Sequence, residues 1–192
     1  MTHERTQKHR DLVDKRELLD EAGIRNALAG LARDILESHT DPRSLVLVGI
    51  RTLGVPLAER LRALIAERVG FSVPLGVMDI TLYRDDVYKD DARPVVGTTE
   101  LPCSLEGRVV ILVDDVLFTG RTTRAALAEL MDYGRPEMVK LAVLVDRGHR
   151  ELPIQPDYVG LSVKTARDEL VTVTLSEVDG TDRVVLRERV SP

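Results

Sequence analysis

Two adjacent carboxylates, Asp114 and Asp115, stand just ahead of the run Thr119-Gly120-Arg121-Thr122-Thr123. The acids suit neutral ribose hydroxyls or a metal ion. The run offers hydroxyls, and at a helix start its backbone N–H groups lack intrahelical acceptors and favour an anion. One ligand that meets both demands is a ribose 5-phosphate. The chain contains no Gly-x-x-x-x-Gly-Lys-Ser/Thr, which excludes a Walker-type loop, and no dinucleotide fingerprint. A plainer reading keeps the same residues structural: Asp-Asp ends a strand and Thr122 or Thr123 caps a helix. A second loop, Gly49-Ile50-Arg51-Thr52-Leu53-Gly54, also suits an anionic group through Arg51 and Thr52.

The elements around these loops are readable from periodicity. Val109 to Val113 is a β-branched and leucine run, expected as a strand covered on both faces and central in a parallel sheet. It is expected to stop at Asp114-Asp115, where a turning chain would aim both carboxylates into the crevice at the sheet's C-terminal edge. A helix over Arg124 to Met131 follows, stopped by Gly134-Arg135-Pro136, and Met138 to Val145 reads as another central strand. Leu45 to Ile50 is a buried strand leading through the second loop to a helix opened by Pro56 and carrying Ala58, Leu61, Leu64 and Ile65. Val73 to Leu82 reads as a strand.

Earlier in the chain, Asp20 caps a helix whose apolar positions Ile24, Ala27, Leu28, Leu31 and Ile35 run to about Ser38, and Asp41-Pro42 ends it. Its polar face carries Asn26, Ala29, Gly30, Arg33 and Glu37. A helical glycine costs about 1 kcal/mol relative to alanine, so Gly30 reads either as a close approach by another segment or subunit or as a tolerated surface residue. Leu170 to Val178 and Arg183 to Val190 read as strands joined by an Asp179-Gly180-Thr181 hairpin. Together these predict an α/β fold, a doubly wound parallel sheet with a small cap from the terminal segments. One domain spans residues 1–192, with 1–17 as a flexible tail.

Composition narrows the classes. Hydrophobic residues at 43% and charged residues at 31% fit a soluble globular chain, with no apolar run of membrane length and no signal-peptide core, so the cytoplasm is the expected location. Cys103 is the only cysteine, which rules out an intramolecular disulfide, and no Cys or His cluster offers a metal site, so no metal-ligating residue is assigned. A net charge of −5 argues against indiscriminate nucleic-acid binding and leaves room for a local basic patch. With no Trp and two Phe there is little material for stacking bases.

The stretch Val110 to Thr122, Val-Ile-Leu-Val-Asp-Asp-Val-Leu-Phe-Thr-Gly-Arg-Thr, resembles the phosphoribosyl pyrophosphate (PRPP) motif of type I phosphoribosyltransferases. Its second half, together with Asp79-Ile-Thr-Leu-Tyr-Arg-Asp-Asp86 and Asp146-Arg-Gly-His-Arg-Glu-Leu-Pro153, resembles the PyrR family of pyrimidine operon attenuators that are also uracil phosphoribosyltransferases. The resemblance implies the type I phosphoribosyltransferase fold and the reaction of uracil with PRPP to give UMP and diphosphate, with Mg2+ held mainly by PRPP. It implies that Asp114 and Asp115 hold the ribose hydroxyls and, with Arg84, form the catalytic set. Thr52, Leu53, Val116, Leu117, Phe118, Thr119, Gly120, Arg121, Thr122, Thr123, Arg147 and the backbone near Val171 would bind PRPP or UMP. Arg51 and Gly54 would complete a pyrophosphate loop, and the charged segment running to Arg93, which by itself reads equally as a solvated hairpin, would be a mobile lid. Implied partners are PRPP, uracil, UMP, pyrimidine-operon leader mRNA bound through Arg33, His149 and Arg150, and further copies of the chain in a homodimer or higher homo-oligomer.

Two departures from the family pattern stand out. The pyrophosphate loop commonly reads Gly-Ile-x-Thr-Arg-Gly, and here Leu53 takes the arginine place; leucine cannot make the charge-assisted phosphate contact, although Arg51 is close by. Leu53→Arg is therefore expected to lower the KM for PRPP. Where family members present Thr, Arg and His on the first helix, this chain has Ala29, Gly30 and Arg33. The competing readings are a transferase without RNA regulation, an RNA regulator with weak catalysis, and a purine phosphoribosyltransferase, against which the Asp146 to Pro153 signature argues.

Overall fold

A computed structural model describes residues 12–81 and 98–189. Asp20 does cap the first helix, α1 (Glu21–Ser38), its side chain accepting from the Gly23 N–H at 2.7 Å, and Ile24, Leu28, Leu31, Ala32 and Ile35 form the buried stripe. Strand β2 (Leu45–Ile50) is buried at every position. Helix α2 (Gly54–Val69) ends on Gly70 at φ 79°, whose N–H returns to the Ala66 carbonyl. It begins two residues before Pro56. Strand β3 (Leu75–Met78) is shorter than expected: the Asp79 carboxylate accepts from the Thr81 N–H at 2.9 Å, a local turn that competes with the strand ladder.

Strands β4 (Val109–Leu117), β5 (Met138–Asp146) and β6 (Tyr158–Ser162) complete a parallel sheet of order β3-β2-β4-β5-β6. Residues alternate between its two faces. Leu45, Leu47, Val109, Ile111 and Val113 point to a core shared with α1 and α2, whereas Val46, Val48, Ile50, Val110 and Leu112 pack with Ala125, Ala126 and Leu130 of helix α3 (Arg121–Asp132). Helices on both faces make the sheet doubly wound, as expected.

The cap is a second, antiparallel sheet of order β1-β8-β7, formed by β1 (Leu12–Leu19), β7 (Leu170–Thr174) and β8 (Arg183–Arg189). Residues 12–17 are thus strand rather than tail. A one-turn helix, α4 (Ser176–Asp179), closed by Gly180 at φ 77°, replaces the expected hairpin turn. Val173, Leu175 and Val184 sink into the α1–α2 side of the core. Among the described residues no helix is long and apolar enough to cross a membrane.

Candidate active site

The chain runs outward from β2 to β3 on one side and from β4 to β6 on the other, so the order reverses between β2 and β4. Crevices outside the carboxyl ends of such strands are where open α/β sheets take ligands. Both loops singled out in the sequence lie there.

Strand β4 does not stop at the acids. It passes through Asp114 and Asp115 because β5 keeps pairing with it as far as Leu117 opposite Asp146, while β2 leaves it after Gly49 opposite Val113. The acids therefore sit on extended backbone with a neighbour on one side only. Asp114 is 6% exposed, Asp115 is half-buried, and the Asp115 N–H donates to Asp114 Oδ1 at 3.0 Å.

On the vacated side, the loop from β2 folds back over β4. Two glycines permit this. A Cβ on Gly54 would strike the Val113 carbonyl oxygen, and one on Gly49 would lie 2.6 Å from the Val55 Cα. A cis peptide joins Arg51 to Thr52, and the Arg51 N–H donates to the Met78 carbonyl at 2.9 Å. Arg51 and Thr52 are exposed, but Leu53 is 6% exposed and belongs to the α1–α2 core, so only its backbone can meet a ligand. Leu53 can thus serve the loop only through its backbone, and an arginine placed there would start from a core position, against the simple expectation for Leu53→Arg.

The turn from β4 into α3 centres on Gly120 at φ 90°, where a Cβ would come 3.3 Å from Ile154. Helix α3 begins at Arg121, three residues before the expected start, and the Arg124 N–H closes its first turn on the Gly120 carbonyl at 2.9 Å. The first-turn amides have no intrahelical acceptor. Thr122 is half-buried, while Thr123 is 2% exposed and its hydroxyl finds no partner among the described residues. Val116, Leu117 and Phe118 connect the acids to this turn.

The Asp146 to Pro153 segment packs on the outside of the turn. Glu151 N–H donates to the Thr119 carbonyl at 2.9 Å and Arg147 N–H to the Leu117 carbonyl at 3.1 Å. The Arg147 guanidinium, 4.1 Å above the Phe118 ring, donates to Thr165 Oγ1 and to the Ala166 carbonyl; burial pulls its pKa below the ordinary guanidinium value. His149, at φ 62°, faces the Phe118 ring edge and holds the Thr165 carbonyl at 2.8 Å through Nε2. Arg150 donates to the Phe118, Gly148 and Ile154 carbonyls and pairs with Asp146 at 2.7 Å, its side chain 13% exposed. Arg147 and Arg150 are thus internal fasteners, which corrects the picture of Arg150 as an outward cation. Arg33 stands apart on α1, exposed and paired with Asp34 at 2.8 Å.

Val171 lies on β7, its backbone paired with Leu186, and β7 approaches β4. Arg84 and the segment through Arg93 expected as a lid lie outside the described residues. Glu151, which escaped notice in the sequence, bridges Arg121 of the turn at 2.9 Å and Arg167 of the segment before β7. Those arginines hold its carboxyl below the usual range, Arg121 foremost. Its place in the Asp146 to Pro153 motif was the available signal. The assembly offers carboxylates beside an amide-lined turn and, across the crevice, an exposed guanidinium at Arg51.

A family profile described as a phosphoribosyl transferase domain matches residues 14–175. A protein named Bifunctional protein PyrR from Pelotomaculum thermopropionicum is 54% identical over 175 residues, covering 91% of this chain and 97% of that one. Its Thermus thermophilus namesake gives the same identity and coverage, and the Deinococcus radiodurans one is 52% identical over 172 residues, covering 90% and 94%. Among solved structures, a hypoxanthine phosphoribosyltransferase from Trypanosoma cruzi superposes with a TM-score of 0.69 at 22% identity, covering 90% of this chain and 95% of that one. One from Staphylococcus aureus gives 0.64 at 21%, covering 96% of each. At these identities the structures speak for the fold.

Proposed function

The chain belongs to the PyrR family of phosphoribosyltransferases, and on that premise we propose how its residues divide the work. It is a uracil phosphoribosyltransferase that converts uracil and PRPP to UMP and diphosphate, and a regulator of pyrimidine-operon transcription attenuation. The observation that carries the residue assignment is the pair Asp114–Asp115 on extended β4, flanked by the Gly120 turn and the Gly54 loop.

Asp114 and Asp115 accept hydrogen bonds from the ribose 2′ and 3′ hydroxyls, and their charge favours the positive charge that develops at C1′ as the bond to pyrophosphate breaks. The Thr119 to Thr123 turn receives the 5′-phosphate on first-turn amides and hydroxyls. Arg51 and Thr52, with the backbone of Leu53 and Gly54, face the pyrophosphate. Between these anchors C1′ is held for attack by uracil N1, so positioning supplies much of the rate. Among the described residues no group of three or more His, Cys, Asp or Glu is placed to hold a metal. Mg2+ would be held mainly by the oxygens of PRPP, and it would supply charge neutralisation on the leaving pyrophosphate. Arg147 and His149 shape the segment Thr165 to Arg167 ahead of Val171, where the base edge would lie.

Base choice is tested by incubating the purified protein with PRPP and uracil, hypoxanthine or guanine and identifying the nucleotide formed. UMP alone is expected; a purine nucleotide would overturn the assignment. The regulatory half is tested by binding to pyrimidine-operon leader RNA against a scrambled control, with and without UMP. Specific binding strengthened by UMP is expected, and loss of affinity with salt should follow the few phosphate contacts that cations such as Arg33 make. Absence of specific binding by UMP-loaded protein would leave a transferase without regulation.

A further inference from the structure

Glu129 is the acid on the buried face of α3, which it shares with Ala125, Ala126 and Leu130. It is 4% exposed. Its Oε1 accepts a short hydrogen bond from the Thr99 hydroxyl, and Thr99 Oγ1 in turn accepts from the Asp79 N–H at 3.0 Å. Its Oε2 is buried without a partner among the described residues. A carboxyl in such a place costs stability, since an orphaned buried oxygen forfeits its hydration. Burial raises its pKa, with Asp79 and Asp132 adding to the rise and the Thr99 bond opposing it. Nothing in the phosphoribosyl chemistry assigned above uses this group.

What the costly group does is join two parts of the crevice. Helix α3 carries the 5′-phosphate turn at its head. Thr99 belongs to the returning chain, where Glu100 and Val77 exchange backbone hydrogen bonds at 2.8 and 2.9 Å. One residue on from Val77, the Met78 carbonyl accepts from the N–H of Arg51, the first residue of the pyrophosphate loop. A continuous path therefore runs from α3 through Glu129, Thr99 and Asp79 to Met78 and Arg51.

We propose that Glu129 is a positioning residue for phosphoribosyl transfer: through Thr99 it sets the separation of the 5′-phosphate turn from the pyrophosphate loop, the two anchors of PRPP. The inference rests on the assignment of those two loops to PRPP. It follows that loosening the link penalises PRPP, which spans both loops, and spares uracil, which touches neither.

The test compares Glu129→Leu, Glu129→Gln and Thr99→Val in steady-state kinetics and thermal unfolding. Leucine removes the orphaned oxygen and fills similar space, so Glu129→Leu folds at least as stably as the wild type. It nevertheless raises the KM for PRPP by about threefold to tenfold, the scale of one lost hydrogen bond, with the KM for uracil unchanged. Thr99→Val does the same. Glu129→Gln, which keeps an oxygen for the Thr99 hydroxyl, returns the PRPP value to near wild type. It also abolishes a pH signature. Because Glu129's folded pKa is raised, the wild type loses stability as pH climbs from the ordinary glutamate range to that raised value, and the glutamine variant does not.

An unchanged PRPP KM in Glu129→Leu and Thr99→Val, a parallel rise in both KM values, or a glutamine variant as impaired as the leucine one would each overturn the inference. Absence of saturable PRPP turnover in the wild type would overturn the loop assignment as well, which separates the two failures.

Discussion

Arg60 on α2 tests how much one guanidinium adds to the apolar contacts that fasten the cap to the sheet domain. Its nitrogens donate five hydrogen bonds: to Glu177 Oε1 at 2.8 Å and Oε2 at 2.6 Å, to Asp182 Oδ2 at 2.5 Å and Oδ1 at 2.8 Å, and to Ser176 Oγ at 3.0 Å. Glu177 and Ser176 lie on α4 and Asp182 just before β8, so every acceptor belongs to the cap. The two pairs are unequal. The Asp182 side chain is 8% exposed and keeps only the Ser176 N–H, at 2.7 Å, when its cation is removed, a loss of about 3 kcal/mol at the low end for a buried pair, whereas the Glu177 side chain, 41% exposed, contributes less than about 1 kcal/mol. For a chain of 192 residues each kcal/mol shifts Tm by about 2–4 °C, so Arg60→Ala should lower Tm by roughly 6–12 °C at neutral pH. The Arg60 hydrogen bonds hold the Glu177 and Asp182 carboxyls below the usual range. Stability from depressed carboxyls is present above their ordinary pKa and lost as pH falls through the folded values. The Tm gap between wild type and variant, followed by calorimetry, should therefore narrow below about pH 4. A gap under about 2 °C at neutral pH, or one that stays constant into acid, would refute the reasoning.

Asp115→Asn should cut kcat/KM for UMP synthesis at least about tenfold, roughly 1.4 kcal/mol of transition-state stabilisation, and a retained rate would end the ribose assignment. Leu53→Arg forces a cation into the core between β4 and α2; it should destabilise by about 2 kcal/mol or more and give no gain in PRPP KM, whereas a lower KM at unchanged Tm would mean that the loop rebuilds around it. Arg147→Ala releases the Thr165 to Arg167 segment and should raise the KM for uracil at least about threefold while moving that for PRPP less, as substrate-saturation curves would reveal.

The strands that build the crevice were readable because β2, β4 as far as Val113 and β5 from Leu141 to Val145 are covered on both faces, which forces apolar runs. The cap of α1 was readable for a local reason too, since Asp20 and Gly23 are within a turn of each other. What escaped depended on distant partners. Asp114-Asp115 looks like a strand end, yet the ladder with β5 carries β4 past it. Strand β6 is short and partly exposed, and its Gly160 is explained only by the Leu144 carbonyl and the Ala27 Cβ that crowd it.

Arg147 and Arg150 show why residue type alone misleads at such a site. In a loop beside a phosphate turn, an arginine reads as an anion ligand. Here the carbonyls of Phe118, Ile154 and Ala166 come from three separate segments and absorb the guanidinium donors. These contacts brace from outside the turn that would hold the 5′-phosphate. Arg51, by contrast, sits on the loop folded over β4, and its side chain stays exposed while Leu53 turns inward. The loop's exposed guanidinium is thus that of Arg51, two residues before Leu53, with one nitrogen 3.5 Å from the Thr98 carbonyl. A chain that binds PRPP without an arginine at position 53 is then a prediction about Arg51: Arg51→Ala should raise the PRPP KM about tenfold or more, the scale of a lost charge-assisted phosphate contact, and an unchanged KM would show that no guanidinium serves this loop.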